Sequence, residues 1–137
     1  MSNTDEIRWR QHLESFGKAM AQLEAACSKE EYNDLERAGL VQMFEFSFEL
    51  AWKTLKDLIF SEGYDEKTPR SVIRRSFEVE YLSEDDAEAF LDALKKRNLL
   101  SHTYEEEVAK KALELIKKTY FPILQRTYHF LEDKQNL

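Results

Sequence analysis

The chain has 137 residues and a formal net charge of −7, with 34% charged residues but only three glycines, two prolines and one cysteine. That charge excludes broad, nonspecific nucleic-acid binding, which needs a basic face, and confines any RNA contact to local patches such as Lys95-Lys96-Arg97 or Arg70, Arg74 and Arg75. One cysteine excludes an internal disulfide, no apolar run approaches the roughly 18 residues of a membrane span, and the polar start lacks a signal-peptide core; the expectation is a cytoplasmic chain forming one domain over residues 1–137.

Residues 6 to 27 carry a seam of Trp9, Leu13, Phe16, Met20, Leu23 and Cys27, alternately four and three apart. This predicts a long amphipathic helix that packs into a bundle, with Cys27 as a small core residue. Ile7 lies off the seam and is expected at the bundle's end, and His12 is expected in solvent with no function. A connector follows, with Ser28 and Asn33 as capping candidates. A second helix over about 34 to 62 has a wide apolar face through Leu40, Val41, Phe44, Phe48, Ala51, Trp52, Leu55, Leu58 and Ile59, widened by Met43, Phe46 and Leu50. Such a helix is covered from two sides, either at the centre of the bundle or with one side at a subunit interface. Its polar stripe includes Glu45 and Glu49, one turn apart. No histidine or aspartate at ligand spacing joins them, so a Glu49–Lys53 surface pair is favoured over a metal site. The aromatic run Phe44, Phe46, Phe48 and Trp52 is read as core in preference to a base-stacking platform.

Gly63 marks a helix end, and Thr68-Pro69 marks a helix start. The short helix of residues 69–79 is expected to turn Val72, Ile73 and Phe77 inward. Arg70, Arg74 and Arg75 then point elsewhere, either to phosphate or to Glu78, Glu80 and the acidic surface. Ser83 to Asp86 resembles a capping box opening a helix over 84–98, which buries Ala87, Phe90, Leu91 and Leu94 and delivers Arg97 at its end. A last helix over 105–132 carries Val108, Ala112, Ile116, Tyr120, Ile123, Leu124 and Leu131. Pro122 inside it predicts a kink or break near residues 119–121, and His129 is assigned nothing. There is no strand pattern, internal repeat, Gly-rich phosphate loop or Cys/His cluster, so neither metal nor cofactor is expected. The pattern predicts an all-α, antiparallel up-and-down bundle of four to five helices.

Between the last two helices, residues 95–107 concentrate reactive side chains. Arg97 is a permanent cation with a planar donor fork suited to phosphate. His102 can exchange a proton near neutrality, and Tyr104 offers a phenolic hydroxyl. They suggest phosphodiester chemistry or nucleotide binding. The plainer alternative is helix-end electrostatics, with Ser101 or Thr103 capping the next helix. In one unbroken helix Arg97 and Tyr104 would share a face, while His102 would stand roughly 140° round from Arg97. Either the chain breaks between them, or a second copy supplies the missing group.

Three blocks occur in order: residues 39–57 (GLVQMFEFSFELAWKTLKD), 68–73 (TPRSVI) and 97–104 (RNLLSHTY). Together they resemble the HEPN superfamily, in particular its small bacterial branch of nucleotidyltransferase substrate-binding proteins, related to HepT toxins. The resemblance implies a partner of a minimal nucleotidyltransferase encoded nearby, in a two-gene module of toxin–antitoxin type. It implies that Arg97 and His102 cleave RNA without metal at a homodimer interface, and that the partner enzyme adenylylates Tyr104. Asn98 and Ser101 fall at supporting positions of the same motif. On that picture two Arg97 and two His102 flank one phosphodiester, the histidines dividing acid and base roles and the arginines stabilising the transition state. The alternative within the same branch is a non-catalytic subunit that binds nucleotide (ATP or AMP) or other substrate for the nucleotidyltransferase.

Overall fold

Local hydrogen bonding sets where each helix begins. A computed structural model of the protein describes residues 3–100 and 105–136, and all regular structure among them is helical. After α1 (Asn3–Cys27), the Asn33 side chain accepts from the Glu36 N–H at 2.8 Å, and Glu36 accepts from the Asn33 N–H at 2.9 Å. This capping box opens α2 (Asp34–Ser61). Ser28 instead donates back to the Ala25 carbonyl at 2.7 Å, closing off α1. Gly63, at φ +99, takes the left-handed turn that ends the α2 region at no steric cost. Thr68 and Ser71 cap α3 (Pro69–Glu78) reciprocally, with Pro69 in its first turn. Ser83 accepts from the Asp86 N–H at 3.1 Å to start α4 (Glu84–Lys95).

The two long helices pack along their length, and α2 also touches α3 and the last rod of the chain. It is therefore the central helix, as its wide apolar face predicts. Trp9, Leu13, Phe16, Met20 and Leu23 of α1 are all buried, and Cys27 is half-buried. Ile7 is corrected: it is 55% exposed, on the solvent face of α1 and not packed at the bundle's end. Gly17 has a packing reason. A Cβ there would meet the Tyr128 hydroxyl at 2.7 Å, and its absence lets Tyr128 lie edge-on against Phe16 with ring centroids 5.4 Å apart.

Three further expectations change. On α3 the inward face runs through Val72, Ile73 and Ser76, so Phe77 sits at its edge and is 43% exposed. On α2, Phe44, Phe48 and Trp52 are core, but Phe46 is 59% exposed. The helix expected to reach residue 98 stops at Lys95, and Lys96 caps it with its N–H on the Asp92 and Leu94 carbonyls. Arg97 thus opens a separate one-turn helix, α5 (Arg97–Leu100), whose Leu100 is buried in the core.

The last rod begins with α6 (Glu106–Leu115) after Glu105, whose side chain makes no cap bond. Ser101 and Thr103, the expected caps, lie outside the described residues. Where a break was expected near Pro122, the chain widens into a π-helical turn over Ile116–Tyr120 and continues as α7 (Phe121–Gln135). Pro122 cannot donate to the carbonyl four residues back and its ring would crowd it. The wider turn relieves both demands, and the Phe121 N–H bonds the Ile116 carbonyl instead. Among the described residues no helix is long and apolar enough to cross a membrane.

Candidate functional site around Arg97

Leu100, fully packed, seats α5 on the bundle and so fixes where Arg97 stands. The guanidinium lies 5.9 Å from the centroid of the Phe48 ring, and its Nη2 is 3.5 Å from Glu49 Oε2. Glu49 forms the expected pair with Lys53, at 3.4 Å, and also accepts from Trp52 Nε1 at 3.0 Å. The carboxylate is thus a hub between α2 and the start of α5. Beside it opens a cleft of about 450 Å³ lined by Gln42, Glu45, Phe46, Phe48, Glu49 and Arg97, among others. Its floor is aromatic and its rim is charged.

The Arg97–Glu49 pair is exposed to solvent, at 46% and 41% of the two side chains. Pairs of that exposure contribute at most about 1 kcal/mol. A phosphate, which accepts two guanidinium hydrogen bonds, can therefore compete with Glu49 for Arg97. Among the described residues no group of three His, Cys, Asp or Glu is placed to hold a metal. Glu45 and Glu49 act here as cleft walls.

Of the other motif residues, Asn98 falls within α5, and Ser101, His102 and Tyr104 lie outside the described residues. The structure therefore brings Arg97 to the cleft, and the company it keeps there from the protein consists of Glu49 and Phe48 together with contacts beyond these.

Behind the cleft stands an arrangement that sequence reasoning missed. Tyr120, in the π turn, donates to Asp92 Oδ2 at 2.6 Å, and Lys96 reaches the same oxygen at 3.1 Å. The Tyr120 ring stacks on Phe44 at 5.3 Å, and Phe44 lies 5.9 Å from Phe48, the ring next to Arg97. The only sequence signal was a tyrosine at a core position, which when buried requires a hydroxyl partner.

His12 is also corrected. Its Nδ1 is 2.5 Å from Asp57 Oδ2, tying α1 to α2 beside the buried Leu13. Of the three arginines on α3, Arg75 is held by Glu66 at 3.1 Å and Glu78 at 2.9 Å, and lies 4.7 Å from the Tyr64 ring centroid. Arg70 and Arg74 make no ion pair among the described residues. His129 is exposed, 3.7 Å from Glu132. Burial pushes the Cys27 thiol up to about 11, against a smaller lowering by Lys117. Alkylation of Cys27 by iodoacetamide at neutral pH is expected to run on the order of 10²-fold slower than for a free cysteine, because so little thiolate is present.

Fold and site together define an all-α bundle whose central helix and a following one-turn helix frame an open, arginine-bearing cleft. The chain belongs to the nucleotidyltransferase substrate binding protein-like family, whose model matches residues 11–133. That is the branch the three sequence blocks resemble. The chain is also similar to a protein of Thermus thermophilus known from its crystal structure. The two share 29% identity and a TM-score of 0.74, over 89% of this chain and 99% of that one. No curated protein matches the chain at a significant level.

Proposed function

We propose that this protein is the partner subunit of a nucleotidyltransferase, and that the Arg97 cleft with the following motif is the surface at which substrate or nucleotide is held. The observation that carries this reading is the solvent-exposed Arg97–Glu49 pair at the edge of a cleft of about 450 Å³, in a chain of this family. The cleft also carries Glu45 and Glu49, which makes it a poor holder of RNA on its own. A small ligand needs only the one cation. Tyr104, seven residues after Arg97, is the hydroxyl on which an adenylyl group would be placed. Coexpression with the nucleotidyltransferase encoded nearby is expected to give a stable complex. ATP should then add one adenylyl group to wild-type protein and none to Tyr104→Phe, as read by intact-mass spectrometry. The absence of both the complex and the mass gain would refute the reading.

A second reading is favoured by the exposed Phe46 in the same cleft as Arg97, an apolar surface that a second protomer would cover. In such a homodimer two Arg97 and two His102 would form a metal-independent endoribonuclease site in the cytoplasm, silenced when Tyr104 is modified. Purified wild-type protein is then expected to cut RNA in EDTA. His102→Ala should lose on the order of 10²–10⁴-fold in rate with unchanged circular dichroism. RNA left intact in both EDTA and Mg²⁺ would remove the nuclease and leave the binding subunit.

A further inference from the structure

Away from the Arg97 cleft, we propose that the outer face of α3 is a second site, one that binds the polyphosphate of a nucleotide through Arg70 and Arg74 and stacks its base on Phe77. Positions 70, 74 and 77 of a helix fall within one narrow stripe, about 60° wide. All three side chains are exposed. In a chain with 27 acidic residues against 20 basic ones, two arginines a turn apart without an ion pair among the described residues are unusual company. Their neighbour Arg75 is spent on Glu66 and Glu78, so those carboxylates are already committed.

The three guanidinium groups, the two carboxylates and the hydroxyls of Thr68 and Ser71 line a shallow cavity of about 260 Å³. Cation therefore exceeds anion there by one charge, three arginines against two carboxylates. A phosphate accepts both guanidinium forks in bidentate geometry, which an isolated carboxylate cannot do for two arginines at once. Seven residues along the helix from Arg70, roughly 10 Å, the exposed Phe77 ring offers a stacking face. A base stacked on that ring adds contact that a bare polyphosphate cannot make. The net charge of −7 disfavours a long polyanion and favours a single nucleotide.

Isothermal titration calorimetry of the full chain at low salt, with ATP, tripolyphosphate and adenosine as separate ligands, tests this. ATP and tripolyphosphate should bind and adenosine should not. The exposed double variant R70A/R74A, with circular dichroism unchanged, should weaken both by about tenfold or more. Phe77→Ala should weaken ATP alone. Wild-type protein binding neither phosphate ligand, or the double variant binding as well as wild type, would overturn the site. Loss of ATP binding in Arg97→Ala but not in R70A/R74A would place the nucleotide in the cleft and overturn it equally. Because no nucleotidyltransferase is present, failure here leaves complex formation and Tyr104 modification untouched.

Discussion

Phe16→Ala is expected to lower the unfolding free energy by about 3–5 kcal/mol and the melting temperature by roughly 12–20 °C, measured by urea and thermal denaturation. Phe16 is wholly buried and sits midway along α1, the helix laid against the length of α2. Its ring also meets Tyr128 of α7 at 86°, through the space that Gly17 leaves open. Truncation therefore opens a cavity where three helices meet and takes the edge-on partner from Tyr128. The surroundings cannot easily collapse into the gap, since α1 is pinned on either side by Leu13 and Met20 and by the His12–Asp57 contact. Ile7→Ala, on the same helix but in solvent, should stay within about 0.5 kcal/mol. Equal effects from the two substitutions would contradict the packing described for α1.

The contrast between those two residues shows what could be read from order alone. The seam of α1 and the broad face of α2 were legible because burial repeats with the helical period, and five of the six seam residues are buried. The caps at Asn33, Thr68 and Ser83 were legible because each is satisfied within three residues. Side chains whose partners lie far along the chain were not. His12 meets Asp57, 45 positions away, and Tyr120 meets Asp92, 28 positions away. No local pattern encodes either pairing. Periodicity also overreached at helix edges. Phe46 and Phe77 fit an apolar period by type, yet the neighbouring elements leave them exposed. For the site, sequence located Arg97 and Glu49 separately, and only the fold shows that α5 turns one toward the other. The helix end at Lys95 explains the difficulty: Arg97 was expected at the tail of α4, whereas the chain restarts there and aims it anew.

Tyr120→Ala is expected to destabilise the protein by about 3–5 kcal/mol, with Tyr120→Phe accounting for about 1–2 kcal/mol of it, because the phenylalanine keeps the ring on Phe44 and loses only the hydrogen bond to Asp92. The lower figure reflects a carboxylate that is 41% exposed and retains Lys96. The pH dependence separates the hydroxyl from the ring. Burial alone would raise the Asp92 carboxyl, but hydrogen bonds from Tyr120 and Lys96 outweigh it and hold the group below the ordinary carboxylate value. The contribution of this contact is therefore complete above the unfolded-state value of about 3.9 and is lost as pH falls through the lower folded one. Burial first, and then Asp92, push the Tyr120 hydroxyl above the ordinary phenol value. That contribution is complete below about 10 and is lost as pH rises through the folded value. The difference between wild type and Tyr120→Phe should thus be flat from about pH 5 to 9 and shrink at both extremes, in urea denaturation series across pH. A difference that ignores pH would mean the bond to Asp92 does not form, and the π turn would then owe its place to the ring and Pro122 alone.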